Sequence, residues 1–227
     1  MLVGVVSDIH SNLPAMKAVL AALKPLGPQR IICAGDLVGY NASPDEVCAL
    51  VREYNVESIL GNHDRAVVSG DTSALVEDAA SAIRWTRRHI ATASRKLLEK
   101  LPARRRLAIG GRRILVVHGS PKDDDEYVLP LKEKQWPFGN PGADVLVMGH
   151  THVQWTDRFE GCNLRVINPG SVGQPRDGDP RASFATLDTR DLTVRLHRVP
   201  YDIEKAACAV IAAGLPARFA ERLYTGR

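Results

Sequence analysis

The 227-residue chain is short of aromatic residues, at 5% of positions, and has only four cysteines: Cys33, Cys48, Cys162 and Cys208. The cysteines are scattered, with no Cys-x-x-Cys pair. That excludes a zinc ribbon and a dithiol redox motif and leaves reduced, mostly buried thiols. No apolar run approaches the ~20 residues of a membrane span, so no membrane partner is expected. The apolar start, residues 2–6, is too short for a secretory leader and has no basic segment before it, so the expected location is cytoplasmic. Neither charge sign dominates: 30 Lys and Arg against 26 Asp and Glu give a formal +4. This balance suits an anionic substrate but is too mild to select one. Basic patches interleaved with aromatics, as single-strand binders use, are missing, and nucleic acid is disfavoured as a partner. Repeats, low-complexity segments and Pro- or Gly-rich linkers are absent too, so one domain over residues 1–227 is expected.

What remains is ordinary globular material, 44% hydrophobic and 25% charged, with ample apolar residues for a core. Short apolar runs alternate with amphipathic stretches in the first half. Strands are predicted over residues 2–7, 30–34 and 56–60, and a helix over about 14–24. A second helix should start at Ser43 as N-cap, with Pro44 in its first turn and Glu46 completing a capping box. Residues 73–100 read as a long helical zone stopped by Pro102. Gly110-Gly111 joins strands over 104–109 and 112–117 as a hairpin. A short buried strand follows over 145–148. Residues 154–159 pair with 163–167, and 183–188 with 192–199. Two helical pieces, 203–213 and 216–224, close the chain. Alternating strands and helices followed by hairpins predict an α/β fold, a mixed sheet or two sheets face to face with helices outside.

The informative residues follow directly after the apolar runs. They are Ser7-Asp8-Ile9-His10-Ser11-Asn12, Gly35-Asp36-Leu37-Val38-Gly39, Gly61-Asn62-His63-Asp64, His118-Gly119-Ser120-Pro121 and Gly149-His150-Thr151-His152. In open α/β folds ligands bind beyond the carboxyl ends of strands, where all five clusters should fall. Five of the seven histidines belong to them; His89 and His197 fall in a helix and a strand and read as packing residues. Each cluster alone is weak, because Asp-x-His is common by chance and Gly-Asp favours turns without any function. The combination is specific. Carboxylates, imidazoles and an amide recur at strand ends, beside glycines that let several loops converge.

Oxygen and nitrogen donors without thiolate suit Mn, Fe, Zn and similar divalent ions. Seven ligands exceed what one ion needs while keeping a position open for substrate. Two ions sharing a bridging carboxylate account for them, and such pairs serve both the attacking and leaving sides of a phosphoryl centre.

The motifs D-x-H, G-D-x-x-G, G-N-H-D, a lone His after an apolar strand, and G-H-T-H, in this order from Asp8 to His152, resemble the calcineurin-like metallophosphoesterase superfamily. Asn168-Pro169-Gly170-Ser171-Val172-Gly173 further resembles small bacterial and archaeal members, which extends the likeness to about residue 188. The resemblance implies a four-layer α/β/β/α sandwich of two mixed sheets flanked by helices, with two divalent ions at one edge. Mn is favoured, with Fe, Zn, Ni or Co as alternatives. It implies Asp8, His10 and His152 at one ion, Asn62, His118 and His150 at the other, and Asp36 bridging. It gives His63 a catalytic part, assisting the leaving group or the transition-state charge, and Asp64 the orientation of His63 or its loop.

One departure carries information. Protein serine/threonine phosphatases have an arginine in G-D-x-x-D-R-G and a later G-N-H-E; here Gly39-Tyr40-Asn41 stands at the first place and Asp64 ends the second. Small phosphodiesters and nucleotides are therefore favoured over phosphoproteins. A nuclease or nucleotide phosphohydrolase on the same site is the enzymatic alternative, and a metal-binding scaffold without catalysis the non-enzymatic one. The expected partner is a small phosphate ester, with self-association left open.

Arg65 and Arg176 are candidate bidentate donors to a substrate phosphate, although exposed arginines are the commoner explanation. Asn12 either contacts substrate or caps the helix after it. The arginines at 104–106 and 112–113 read as a solvated edge. The acidic run 123–126 should point away from a phosphate path. Trp85, Trp136 and Trp155 read as packing residues, with Trp136 an alternative lid contact.

Overall fold

The computed structural model describes residues 1–131 and 135–227. Its backbone begins with β1 (Leu2–Val6), α1 (Leu13–Leu26), β2 (Arg30–Cys33), α2 (Pro44–Glu53) and β3 (Glu57–Ser58), then α3 (Asn62–Ser69), α4 (Glu77–His89) and α5 (Thr92–Glu99). A second group of strands follows: β4 (Arg105–Ile109), β5 (Arg112–Val116), β6 (Val145–Val147), β7 (Gln154–Phe159) and β8 (Leu164–Pro169). The chain closes with β9 (Ala182–Asp188), β10 (Thr193–Val199), α6 (Ile203–Ala212) and α7 (Ala217–Thr225).

The strands form two five-stranded sheets, ordered β10-β9-β1-β2-β3 and β4-β5-β6-β8-β7. β1, β2 and β3 run parallel, as crossovers through α1 and α2 require, while β9 lies antiparallel to β1. In the other sheet β5, β6 and β8 are parallel, with hairpin partners β4 and β7 on the edges. This is the expected sandwich of two mixed sheets flanked by helices.

Alternation along the strands divides the core. Val3 and Val5 of β1 pack with Ile32, Ile114, Val116, Val145, Val147 and Ile167 between the sheets. Val6 faces the opposite way, toward Met16, Val19, Leu20 and Leu23 of α1. Full burial of each such side chain contributes about 1.5–3 kcal/mol, so the apolar face of α1 fixes the sheet edge on which the first loop is built. On the outer face of the second sheet, Leu115, Val117, Leu146 and Val166 pack with Val128 and Trp136 from the β5–β6 connection. Trp136 meets Phe138 and Phe159 and is core, not lid.

Several local expectations are corrected. The helical zone over 73–100 is two helices, because Ile90 and Ala91 are extended. The Asp45 carboxylate of α2 accepts from the Ala91 amide at 3.0 Å and so caps α5 from a distant part of the chain. The capping box at Ser43 does not form. Pro44 does open α2, but the Ser43 side chain makes no capping bond, and its backbone amide donates to the Ser11 carbonyl at 3.1 Å. The strand expected over 56–60 is regular only at Glu57–Ser58, and α3 was not foreseen. The hairpin arginines are taken up locally: Arg104 by Asp124, Arg113 by Asp144, and Arg112 by the Thr189 and Arg190 carbonyls.

Candidate metal centre

Each of the five polar clusters leaves the carboxyl end of a strand. Asp8 and His10 follow β1, Asp36 follows β2, and Asn62 and His63 begin α3 just beyond β3. His118 follows β5 and His150 and His152 follow β6, so both sheets supply the same edge. Bringing the loops together requires unusual backbone. Of ten non-glycine residues with positive φ among the described residues, seven are here: Asp8, His10, Ser11, Asp36, Tyr40, His150 and His152, at 48–66°. Each costs about 1–3 kcal/mol, and this concentration marks a place where geometry is held against local preference. Two glycines allow the closest approaches. A Cβ on Gly61 would collide with the Asp36 carboxylate, and one on Gly149 with the Ser7 hydroxyl.

The first group of donors is Asp8, His10 and His152, all buried. His10 Nδ1 lies 3.1 Å from the Val38 carbonyl and His152 Nδ1 2.6 Å from the Gln174 carbonyl. A carbonyl only accepts, so both Nδ1 atoms carry the proton and both Nε2 atoms present lone pairs. Those lone pairs face each other at 3.1 Å, and Asp8 Oδ1 stands 3.3 Å from His152 Nε2. Asp8 Oδ1 has no hydrogen-bond partner. Two lone pairs and a carboxylate oxygen pointed at one another repel unless a cation joins them. Imidazoles fixed by carbonyl bonds on the far nitrogen are the usual design for metal ligation.

The second group is built likewise. His118 Nδ1 donates to the Ala34 carbonyl at 2.7 Å, and His118 Nε2 lies 3.0 Å from Asn62 Oδ1. The His150 ring centroid is 4.8 Å from that of His118. His150 uses the opposite nitrogen: its Nε2 donates to the Asp125 carbonyl at 3.0 Å, which leaves Nδ1 for a ligand. Asp36 stands between the groups, with Oδ2 at 3.5 Å from His10 Nε2 and 3.3 Å from His118 Nε2. Its Oδ1 accepts the His63 backbone amide at 2.9 Å, which fixes the carboxylate plane. The donor set fits divalent cations held by oxygen and nitrogen.

Electrostatics follow from this crowding. Burial lowers His10 well below the ordinary imidazole value, and burial with the Arg176 charge lowers His152. Burial alone would raise Asp36, but the His118 and His63 imidazoles outweigh it and hold the carboxyl well below the usual range. For His118 burial is likewise overcome, by the Asp36 charge and hydrogen bond, and its pKa rises to about 10. Burial lowers His63 to about 4.

The remaining predicted site residues separate. His63 is 4% exposed. Its ring packs 4.8 Å from His10 and 4.4 Å from Tyr40, centroid to centroid, close enough to fall among the ligand-capable groups with His10 and Asp36. Asp64 is a positioning residue, not a catalytic one. Its carboxylate accepts the backbone amides of Leu37, Val38 and Gly61 at 3.0–3.1 Å, tying the Asp36 loop to the start of α3. Asn12 is no substrate contact. Its Oδ1 caps α1 through Ala15 N, its amide donates to the Gly173 carbonyl, and it is 1% exposed. Arg65 gives one nitrogen, Nη2, to both Asp125 oxygens at 2.6–2.7 Å, and its side chain lines the cavity beside Asn62 and His63. Asp125 thereby corrects the expectation for the acidic run. Asp124 turns away to Arg104, but Asp125 lies in the wall of the cavity above the centre. Arg176 is mostly buried beside Tyr40, donating to its hydroxyl at 3.1 Å with the guanidinium carbon 5.6 Å from the ring centroid.

Sequence reasoning missed Tyr40 and Tyr127. Tyr40 stands against His10 and His63, and Tyr127 lies 4.2 Å from the His150 ring. Tyr40 sits where related phosphatases carry arginine, and its aromatic type signals no metal ligand; Tyr127 has no local signal.

The fold and these donors define a class, the metal-dependent phosphoester hydrolases. The model of the calcineurin-like phosphoesterase superfamily domain matches residues 1–192, and the chain belongs to that superfamily. It is 37% identical over 243 residues to an uncharacterised protein of Methanocaldococcus jannaschii, covering 100% of this chain and 98% of the relative. A probable metallophosphoesterase of Methanothermobacter thermautotrophicus is 28% identical over 205 residues, covering 87% and 92%. The crystal structure of a metallophosphoesterase from Sphaerobacter thermophilus is 34% identical with a TM-score of 0.82, and all of both chains is covered. The likenesses to the Methanocaldococcus jannaschii protein and the Sphaerobacter thermophilus structure extend through β10, α6 and α7, beyond the family match.

Proposed function

We propose that this protein is a dinuclear metal-dependent phosphodiesterase that hydrolyses small phosphodiesters or nucleotides, working in the cytoplasm, where its four free cysteines stay reduced. One observation carries the reading: a single Asp36 oxygen faces donors of both groups, at 3.5 and 3.3 Å. Asp8, His10 and His152 would hold one ion, Asn62, His118 and His150 the other, and Asp36 both. Mn is favoured among ions that nitrogen and oxygen donors accept; Fe, Zn, Ni and Co also fit that chemistry. When bound, the ions polarise the phosphoryl oxygens and make hydroxide available at neutral pH.

The protein's own groups supply the rest. His63 is uncharged at neutral pH, because burial holds it near 4. It acts through a ring N–H donated to the charge that develops on the leaving oxygen. Arg176 adds a fixed positive charge at the His152 side of the centre, reaching the phosphoryl group past Tyr40. Asp64 keeps the Asp36 loop and the start of α3 in register. Tyr40, where phosphoprotein phosphatases have arginine, disfavours phosphopeptides.

A matrix of metals against substrates tests this reading. Manganese-loaded protein should cleave aryl and nucleoside phosphodiesters and leave phosphoserine and phosphothreonine peptides nearly untouched. Efficient peptide dephosphorylation without diesterase activity under any metal would reverse the assignment. Activity on mononucleotides alone would move it to a nucleotide phosphohydrolase, and absence of all turnover in metal-loaded protein to a binding scaffold.

A further inference from the structure

Two of the donors, Asn62 and His150, line a cavity of ≈ 540 Å³ together with His63. This volume lies within the range of small-molecule sites. It exceeds what a phosphoryl group fills. Tyr40 lies against His63 and Tyr127 against His150. Beyond them Ala74, Leu75 and Val76, from the segment joining α3 to α4, continue the lining. Val76 is 72% exposed and Tyr127 60% exposed, so large apolar side chains stand in water at the mouth. Such a concentration next to a polar centre marks a surface kept for an apolar group.

Charge narrows what that group is. Two carboxylates line this cavity, Asp71 and Asp125. Arg65 neutralises Asp125 through a two-bonded ion pair. Asp71 accepts the Ser73 amide at 2.9 Å, which lowers its pKa, and pairs with no cation among the described residues, so it keeps its negative charge at neutral pH. Position adds a third constraint. The cavity begins at His63, the group proposed to meet the leaving oxygen, so the alcohol that departs occupies it.

We infer that this cleft is a leaving-group subsite selecting esters of flat, uncharged alcohols, aromatic or nucleoside, over esters whose leaving group carries a further phosphate or carboxylate. The inference rests on the proposed hydrolysis at the adjoining centre. It ranks simple diesters above polyphosphates and oligonucleotides, because a second anion would stand against Asp71.

The test uses two methyl aryl phosphodiesters whose leaving phenols are closely matched in acidity. One bears an uncharged nitrophenyl ring and the other a nitrophenyl ring with an added carboxylate. Wild-type protein should favour the neutral ester by about tenfold in kcat/KM, a scale set by one unscreened charge near the mouth. Asp71→Asn should reduce the preference to about threefold or less, by lowering KM for the carboxylated ester. Ala74→Trp, at an exposed position where folding is not at stake, should raise KM for both esters while kcat and metal content hold. Turnover of neither ester by metal-loaded protein would fail the hydrolase reading itself. Equal kcat/KM for both, or a preference that Asp71→Asn leaves unchanged, would overturn the subsite while hydrolysis stands.

Discussion

The floor of the site and the cleft above it are built on opposite principles. The floor is buried, held by backbone in costly conformations and fixed by carbonyl bonds to the far nitrogens of His10, His118 and His152. Its donors come from strand ends of both sheets, so the whole sandwich stands behind their positions. The cleft is lined by the α3–α4 segment and the loop with Tyr127, where Val76 and Tyr127 are mostly exposed. Rigid placement suits ions and a reaction common to many esters. A lining free of strand constraints can be changed without disturbing that chemistry. Substitutions in the floor should therefore alter turnover or metal content, and those in the cleft KM and substrate preference.

The largest effect is expected at Asp36. Asp36→Asn removes the charge facing both groups, and turnover at saturating metal should fall well beyond the ~10–100-fold cost of losing an outer hydrogen-bond partner. Asn12→Ala is its contrast: lost capping should cost about 1 kcal/mol of stability with kcat and KM near wild type. Comparable turnover in the two variants would remove Asp36 from the bridging position.

His63 comes next. His63→Ala should lower kcat by about 10²–10⁴-fold with metal stoichiometry unchanged, and the loss should shrink for esters with acidic leaving groups. Elemental analysis beside kinetics on two esters of different leaving-group acidity decides the matter. Emptying of a metal position would make His63 a ligand, as its closeness to His10 and Asp36 permits. Full activity on both esters would make it structural.

Asp64→Ala should act more mildly and indirectly. It leaves the amides of Leu37, Val38 and Gly61 without their acceptor. Metal affinity should weaken by about 10–100-fold and the Tm fall, while the pattern of substrate preference stays that of wild type.

The smallest effect is a pH dependence confined to the floor. In metal-free protein His118 is raised from 6.5 to about 10, because the Asp36 charge outweighs burial. A raised folded pKa contributes stability that is complete below the unfolded value and is lost as pH rises through the folded one. The Tm of metal-free protein should thus decline from pH 7.5 to 9. Burial-lowered His63 and His150, near 4, are neutral in both states across that window. Metal must displace the His118 proton, so metal-loaded protein should show a flatter profile, and loading should release protons measurable by calorimetry in buffers of different ionisation enthalpy. An identical pH profile with and without metal would contradict this.

The floor was legible in the sequence because its residues keep short, fixed spacings after apolar runs, and parallel strands carry such runs to one edge. The segments that hold Asp8, His10, Asp36, Asn62, His118, His150 and His152, and most strand boundaries, follow from that pattern. Their assignment to two ions and the division into two sheets follow instead from the resemblance to the superfamily. What was not legible depends on distant partners. The break between α4 and α5 is capped by Asp45, and Arg65 is paired with Asp125; neither has a signature in its own neighbourhood. Helix α3 did have one, Asp64 at its third position accepting from the Gly61 amide, within a motif that equally fits metal ligands. Tyr40 and Tyr127 became site residues only when folding set them beside His63 and His150.

The central claim is that one carboxylate couples two ligand groups, so that the chain holds a pair of ions. Metal content per chain after reconstitution with excess manganese and removal of the unbound metal tests it most directly. Two ions per wild-type chain, with reduced occupancy in Asp36→Asn, is the predicted result; a wild-type chain that saturates with a single ion would contradict it.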